Sequence, residues 1–248
     1  MKNQTAKGIF NRNQLKYLAI AAMLIDHVAW SFVATDSLLG QLMHFVGRLT
    51  GGVMAYFVAE GYYYTRNVKR YALRLGIFAL LSWLPFVYFD YGTLPLVITE
   101  EGVQCYPYFG VLYTLFLSLL AIWLWDQGRC SQNMKILALV GICVLSVFGD
   151  WPIFDILFAL IFFTYLEKPV EKWSLFSAVA MLYCLISILE DPWWAGLYSF
   201  GIFLVPLLLR FGYNGKSGSK HAFHKWFFYA FYPAHLAILG VLRWVVFT

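Results

Sequence analysis

Long apolar stretches separated by short polar segments run through the whole sequence. Several lie near the short end of the roughly 17 to 25 residues that an α-helix needs to cross a bilayer. The pattern predicts an all-α, polytopic transmembrane helical bundle of about nine helices, although the two short stretches beside Asp150 can also be divided differently. The stretches are Leu15 to Val33, Leu42 to Tyr64, Tyr71 to Phe89, Tyr108 to Trp125, Ile136 to Phe148, Trp151 to Leu166, Leu175 to Leu189, Trp194 to Leu209 and Trp226 to Phe247.

The charged residues between these stretches predict the orientation of the bundle. Lysine and arginine concentrate in cytoplasmic loops of membrane proteins. With the N-terminus cytoplasmic, nearly all basic residues fall on the inner side, including Lys2, Lys7 and Arg12. The outer loops then collect the acidic residues Asp36, Asp90, Glu100, Glu101, Asp150, Asp155, Glu190 and Asp191. We therefore expect a cytoplasmic N-terminus and an outer C-terminus.

The composition agrees with a protein whose solvent is lipid. Hydrophobic residues make up 61% of the 248 positions and charged residues 12%, with a mean hydropathy of +0.68. We expect one integral membrane domain over residues 1–248 in the cell (plasma or inner) membrane, with the first apolar stretch retained as a helix. The net charge of +5 follows from the inner basic lining, so no nucleic-acid partner is expected. The four widely spaced cysteines suggest no metal site.

Ionisable residues inside the first helix are the leading functional candidates. Asp26 and His27 lie in the middle of an apolar stretch, where each charged group costs at least ~2.5 to 3.5 kcal/mol. Lys16 precedes His27 by about three helical turns, which places both on one helix face, with His27 near the bilayer midplane. Asp26 is rotated by about 100° from His27 and therefore faces a neighbouring helix.

The second helix adds Arg48 toward the outer side and Glu60 toward the inner side. Because buried charges of opposite sign become tolerable in lipid when they pair, we expect an ion pair between Asp26 and Arg48. That pair is either a structural clamp between the first two helices or part of a catalytic site. Both interpretations stay open on the sequence alone.

Two further groups of polar residues belong to other helices. Lys225, Tyr229, Tyr232 and His235 form one polar stripe on the last helix, and Pro233 is expected to kink it. His235 is either a packed core residue or a functional histidine at the depth of His27. Arg66, Arg70 and Arg74 recur every four residues. They either anchor the inner face or bind the phosphates of a nucleotide-type cofactor.

Through these residues the chain resembles the TraX family of membrane proteins. The resemblance covers most of the chain and preserves the order of the motifs. The matching segments are Leu15-Lys16, Ile25-Asp26-His27, Gly47-Arg48, Glu60-Gly61-Tyr62, Thr65-Arg66-Asn67, Arg70 to Arg74, Leu80-Leu81-Ser82-Trp83-Leu84-Pro85-Phe86 and Phe228 to Leu236. TraX-like proteins are considered relatives of the acyltransferase-3 superfamily, whose first helix carries a basic residue, ten residues and then a histidine, as Lys16 and His27 do. The superfamily's usual basic pair in the third helix differs here, where Arg70 and Arg74 lie four apart.

The resemblance implies transfer of an acetyl group from cytoplasmic acetyl-CoA to an acceptor at the outer face. The acceptor would be an extracytoplasmic protein amine, as in a pilin subunit, or a surface glycan hydroxyl. His27 would be the general base and Asp26 its modulator, with Arg48 or His235 stabilising the oxyanion. The expected cofactor-binding residues are Lys16, Glu60, Arg66, Arg70, Arg74 and Tyr232. No metal is expected.

Two other classes of function remain open. A proton-coupled small-molecule transporter or flippase could use Asp26, His27 and Glu60 as a proton relay. The sequence shows no internal repeat of the kind found in many secondary transporters. A non-catalytic assembly partner of surface appendages would instead need the buried charges only for structure.

Overall fold

The computed structural model describes residues 8–100, 102–190 and 192–247, without the side chain of Glu190. Lys2, Lys7, Glu101 and Asp191, which contribute to the predicted charge asymmetry, lie outside the described residues. The α-helices are α1 (Arg12–Phe32), α2 (Leu38–Gly47), α3 (Leu49–Tyr64), α4 (Val68–Leu81), α5 (Trp83–Tyr91), α6 (Val111–Gln127), α7 (Gln132–Leu145), α8 (Phe154–Thr164), α9 (Pro169–Glu190), α10 (Leu204–Leu207) and α11 (Ala222–Val241). Short 3₁₀ or π segments extend three of them, at Ser146–Phe148, Ala195–Phe203 with Leu208–Gly212, and Leu242–Val246.

Continuous helical segments match each of the predicted apolar stretches. Within the described residues, six are long and apolar enough to cross a membrane and three are shorter. The six are Arg12–Phe32, Leu38–Tyr64, Val68–Tyr91, Pro169–Leu189, Ala195–Gly212 and Ala222–Val246. The three are Val111–Gln127, Gln132–Phe148 and Phe154–Thr164. The prediction of an all-α helical membrane bundle is therefore confirmed.

Local chemistry accounts for a break within one of the long segments. Val68–Tyr91 divides at Ser82, where α4 ends and α5 begins. Pro85 has no N–H to donate to the carbonyl of Leu81, four residues earlier, so the regular bonding pattern stops there. Ser82 uses its hydroxyl to bond the carbonyl of Phe78 at 2.6 Å. Pro233, in contrast, lies inside α11.

A small β-hairpin interrupts the helical pattern between α5 and α6. It lies between Asp90 and Pro107, in a polar segment between two of the predicted apolar stretches. Strand β1 (Leu96–Thr99) pairs antiparallel with β2 (Gly102–Cys105), with Leu96 opposite Cys105. The strands are too short for a periodicity argument to separate them from a loop, but Val97, Ile98 and Val103 are the β-branched residues that strands favour.

The chain divides into two compact units. The first comprises Met1–Met54, as far as it is described, and Glu167–Phe228; the second comprises Ala55–Leu166 and Tyr229 onward. Two of the three boundaries fall within α3 and α11, and the third lies between α8 and α9. In the first unit α2 packs against α1 and the 3₁₀ helix Ala195–Phe203, which also packs on α9. In the second, α6 packs against α4, α7 and α8. The expectation of a single domain over residues 1–248 stays a prediction.

The start of α1 is hydrogen-bonded to the segment that precedes α11 in the first unit. Asn11 caps the helix in a reciprocal arrangement with Gln14. The backbone N–H of Phe10 donates to the carbonyl of Gly212 at 2.9 Å, and that of Arg12 donates to the carbonyl of Lys216 at 2.8 Å. Residues 212–216, in the segment before α11, are therefore hydrogen-bonded to the start of the helix that carries Lys16, Asp26 and His27.

Asp155 differs from its predicted position. The charge pattern placed it in an outer loop, but it lies in the first turn of α8 and is fully buried in the second unit. Its carboxyl contacts the hydroxyl of Thr114 at 2.8 Å. The helix begins at Phe154, three residues after the start of the predicted apolar stretch, because the chain first turns sharply at Trp151 and Ile153, two non-glycine residues with φ of 59° and 65°.

A buried charged cluster as candidate active site

The site begins where α1 and α2 approach each other most closely. Gly47, at the end of α2, lies directly against the side chain of Asp26 on α1. A Cβ atom at position 47 would fall well inside van der Waals contact with Cβ and Cγ of Asp26. Only glycine allows this approach. It brings the side chains of His44 and Arg48 within hydrogen-bond distance of the Asp26 carboxylate.

Replacing Gly47 with Ala is therefore expected to lower stability. The added methyl group must push the two helices apart, at a cost of about 1–3 kcal/mol typical of overpacking. Gly141→Ala in α7 is the matched control, because nothing lies within 4 Å of a Cβ at that position. Thermal unfolding of both variants in one detergent would measure the effect. An equal midpoint for the two variants would show that the close approach is not needed.

Asp26 is bound on both carboxylate oxygens. Arg48 donates from Nη2 to Oδ2 at 2.5 Å, and Nδ1 of His44 lies 2.8 Å from Oδ1. All three side chains are buried, and His44 is wholly inaccessible. The predicted ion pair between Asp26 and Arg48 is thus present, and it links the first two helical segments.

Aromatic residues surround this charged group within the same unit. The guanidinium of Arg48 lies 5.2 Å from the ring centre of Tyr198, and its Nη1 donates to the hydroxyl of Tyr183 at 3.2 Å. The imidazole of His44 lies 4.2 Å from the Trp30 ring and 5.2 Å from the Tyr198 ring. Such walls keep the local dielectric low, so each charge interacts more strongly with its partner than it would in water.

His44 is the functional candidate that the sequence analysis missed. It precedes Arg48 by four residues, a spacing that places both side chains on one helix face. That spacing was a usable signal, since Arg48 was already expected to meet Asp26. The rule that two donors can satisfy the two oxygens of one carboxylate would then have pointed to His44.

His27 lies on the same helix as Asp26 and is also buried, with 8% of its surface exposed. Its Nδ1 lies 2.8 Å from the carbonyl oxygen of Met23. A carbonyl can only accept, so Nδ1 carries the hydrogen and Nε2 is the basic nitrogen of the neutral ring. Lys16, at the other end of the same helix face, lies 5.4 Å from the ring centre of Phe228 and is partly exposed.

The last helix holds its two candidates in the second unit. The Tyr232 hydroxyl accepts the backbone N–H of Val111 at 3.0 Å, which satisfies a donor at the start of α6. Nδ1 of His235 lies 2.9 Å from the carbonyl oxygen of Phe231, whose ring stacks on the imidazole. Both side chains are buried. Tyr232 therefore has a structural partner, and its proposed cofactor role stays a prediction.

The arginines of the inner segment are arranged differently from the expected row. Asn67 caps α4 by accepting the backbone N–H of Arg70 at 2.9 Å, so the helix begins only at Val68. Arg66 consequently precedes the helix, and only Arg70 and Arg74 lie one turn apart on it. Arg66 and Arg70 are exposed, while the Arg74 guanidinium lies 5.7 Å from the Tyr71 ring. Glu60 is buried in α3, in the same unit.

The cluster in the first unit combines three chemical abilities. Imidazole can take up and release protons near neutral pH. The guanidinium carries a fixed positive charge. The carboxylate balances that charge and orients one imidazole by accepting its N–H. Proton transfer and stabilisation of developing charge are the chemistry that this arrangement supports.

Comparison with known proteins places the chain in a family. The family model described as "TraX protein" matches residues 11–243. A relative from Dichelobacter nodosus named "Probable fimbrial assembly protein FimC, serogroup H1" is 31% identical over 243 residues, covering 93% of this chain and 94% of its own length. No solved structure matches the chain. The matched region includes every candidate residue from Lys16 to His235, and the chain belongs to the TraX family.

Proposed function

We propose that this protein is an integral membrane acetyltransferase of the cell (plasma or inner) membrane. It moves an acetyl group from cytoplasmic acetyl-CoA to a nucleophile presented at the outer face. The observation that supports the proposal is the buried group of Asp26, His27, His44 and Arg48 on the first two helical segments. Keeping ionisable groups in a lipid-embedded bundle is costly, and such groups usually serve a function.

Acyl transfer from a thioester needs the two abilities that this group provides. The attacking amine or hydroxyl must lose a proton, and the carbonyl oxygen acquires negative charge as the nucleophile adds. His27, with its basic Nε2 near the midplane, is the proposed base. Arg48 is the proposed stabiliser of the oxyanion from the first unit, with His235 as the candidate from the second. Asp26 balances Arg48 and holds it in place.

Acetyl-CoA is proposed to bind from the cytoplasmic side. Guanidinium and ammonium groups are suitable donors to its phosphates. An arginine guanidinium is planar and can donate two parallel hydrogen bonds to one phosphate. Arg70 and Arg74 lie one turn apart and Arg66 just before them, at the predicted inner face. The other proposed cofactor-binding residues are Lys16 in the first unit and Glu60 and Tyr232 in the second.

The acceptor is proposed to be an extracytoplasmic polymer or polymer subunit. The D. nodosus relative carries a name that refers to fimbrial assembly. A pilin-like subunit offers its N-terminal amine, and a surface glycan offers a hydroxyl. Both acceptors approach from the outer side, so the lipid bilayer itself separates the acyl donor from the acceptor.

A proton-coupled transporter or flippase remains the alternative of another class. Its proposed relay of Asp26, His27 and Glu60 requires Asp26 to exchange protons during turnover. Both oxygens of Asp26 already accept hydrogen bonds, one of them from a guanidinium. This arrangement favours a permanently charged Asp26 and therefore the enzyme.

The decisive test uses the purified protein in nanodiscs with labelled acetyl-CoA. We expect acetyl-CoA binding, thioester cleavage and transfer of label to either an N-terminal peptide amine or an oligosaccharide hydroxyl. Empty nanodiscs give the background rate. If the folded wild-type protein neither binds nor cleaves acetyl-CoA with any acceptor, the acetyltransferase proposal is wrong.

A further inference from the structure

One basic nitrogen in the buried cluster has no partner. The Nε2 atom of His44 is inaccessible, and no described residue offers it a hydrogen bond. A buried polar atom left unsatisfied costs about 1–3 kcal/mol. Such an atom in a native structure needs an explanation, and a catalytic role is one that accounts for it.

The partner of the other ring nitrogen determines which kind of atom Nε2 is. Nδ1 contacts Oδ1 of Asp26 at 2.8 Å, and Asp26 also forms the ion pair with Arg48. A carboxylate only accepts hydrogen bonds, so Nδ1 of His44 carries the hydrogen. In the neutral ring Nε2 then holds a lone pair. A carboxylate at Nδ1 also stabilises the imidazolium that forms when Nε2 takes up a proton.

The position of His44 suits a group that meets the acceptor rather than acetyl-CoA. It is the seventh residue of α2, about 9 Å along the helix from its predicted outer end. Trp30 covers the imidazole and is itself 40% exposed, so it forms the boundary between His44 and the outside of the unit. Trp30 and Tyr198 meet at 89° with ring centres 6.2 Å apart. The faces of such rings attract cations.

We infer that His44 is a second proton acceptor of the site, which deprotonates an acceptor amine that arrives as an ammonium ion. The inference rests on the proposed acetyltransferase function and applies to an amine acceptor. An ammonium nitrogen has no lone pair and cannot attack a thioester. It must lose one proton before the attack and a second one during it, so two bases are useful where a hydroxyl acceptor would need one.

The proton balance assigns one step to each histidine. His44 first takes a proton from R–NH₃⁺ at Nε2, giving R–NH₂ and an imidazolium beside Asp26. The amine nitrogen then forms a bond to the acetyl carbon while the carbon–sulfur bond breaks. His27 accepts the second proton and passes it to the departing thiolate, which leaves as CoA–SH. His44 finally releases its proton to the outer solvent, so the overall products are the amide, CoA–SH and one proton.

The charged surroundings of His44 permit this first step. Asp26 and His27 lie on α1, Arg48 caps the C-terminal end of α2, Tyr183 lies on α9 and Tyr198 on the adjacent 3₁₀ helix. Asp26 and Arg48 cancel each other, so the neutral cluster does not repel an ammonium. Moving a proton from that ammonium to His44 leaves the total charge in the site unchanged.

The variant His44→Asn tests the inference. The asparagine Nδ2 can replace Nδ1 of the imidazole as donor to Asp26, but an amide cannot accept a proton at neutral pH. An α-amino group has a pKa of about 7.7–8.0, so only about one molecule in ten is a free amine at pH 7. We expect the variant to transfer acetyl to a peptide amine about tenfold more slowly than wild type at pH 7 and at the wild-type rate at pH 9. With a peptide hydrazide acceptor, which is unprotonated at pH 7, the two proteins should react equally fast.

These comparisons separate the inference from the proposed function. If wild type transfers acetyl but the variant is slowed equally with both acceptors and at both pH values, His44 is structural and the inference is wrong. An unchanged rate with the peptide amine at pH 7, or transfer by wild type only to hydroxyls, would also overturn it. If the variant does not fold, the pH dependence of the wild-type rate tests the inference. The rate with the peptide amine should stay nearly constant from pH 7 to 9. A rise of about tenfold in that rate, relative to the rate with the hydrazide, would contradict the inference.

Discussion

Replacing Arg48 with methionine is expected to cost about 3–5 kcal/mol of stability, because it leaves a buried carboxylate without its main counter-charge. Asp26 is 7% exposed, and Arg48 provides both its only described full positive charge and a direct hydrogen bond. Methionine fills much of the space of the arginine stem but supplies no donor. The bond from Arg48 to Tyr183 is lost at the same time.

Thermal and denaturant unfolding in one detergent would measure this loss. Arg210→Met is the matched control, since Arg210 is exposed in the short π segment Leu208–Gly212, and its replacement should change stability by no more than about 0.5 kcal/mol. The double variant Asp26→Asn, Arg48→Met should recover part of the loss, because it removes the uncompensated charge. If Arg48→Met unfolds at the midpoint of the control, the ion pair contributes little to the fold.

The lengths of the apolar stretches were enough to predict the helices, because a lipid environment demands long runs of apolar residues and internally satisfied backbones. The details within those stretches depend on single residues. Pro85 divides one helix at Ser82, and the sharp turn before α8 carries Asp155 into a buried first turn. The hairpin at Leu96 to Cys105 was missed, since four-residue strands leave too little periodicity to recognise.

Part of the site followed from charge balance alone. Opposite charges in adjacent membrane helices become tolerable when they pair, and this rule predicted the contact between Asp26 and Arg48 from the sequence. His44 could not be found in that way, because a neutral histidine satisfies no charge. Its four-residue spacing from Arg48 was the available signal, and the structure confirms the contact through the second oxygen of Asp26 and the close approach at Gly47. Arg66 is an error of the opposite kind. Its regular spacing from Arg70 and Arg74 suggested one shared helix face, but α4 begins after the cap at Asn67 and does not include Arg66.

Replacing His27 with glutamine is expected to lower the rate of acetyl transfer by about 10²–10⁴-fold, the usual contribution of a general base. Glutamine can keep a hydrogen bond near the Met23 carbonyl, which His27 contacts at 2.8 Å, but it cannot accept the proton released as the nucleophile attacks. Unlike the loss expected for His44→Asn, this loss should appear with an amine and with a hydrazide, because both must give up a proton during the attack. Acetyl-CoA binding should remain, as the proposed phosphate contacts lie on other residues.

The measurement compares transfer rates in nanodiscs at saturating labelled acetyl-CoA, normalised to the folded fraction of each protein. His221→Gln serves as the control, because it makes the same chemical change at an exposed histidine of the inner loop and should leave the rate unchanged. Transfer by His27→Gln at the rate of this control would remove His27 from the mechanism. Since His27 and His44 are the two buried imidazoles of the first unit, the proton taken during attack would then have to be reassigned to His44, whose lone pair is held in place by Asp26.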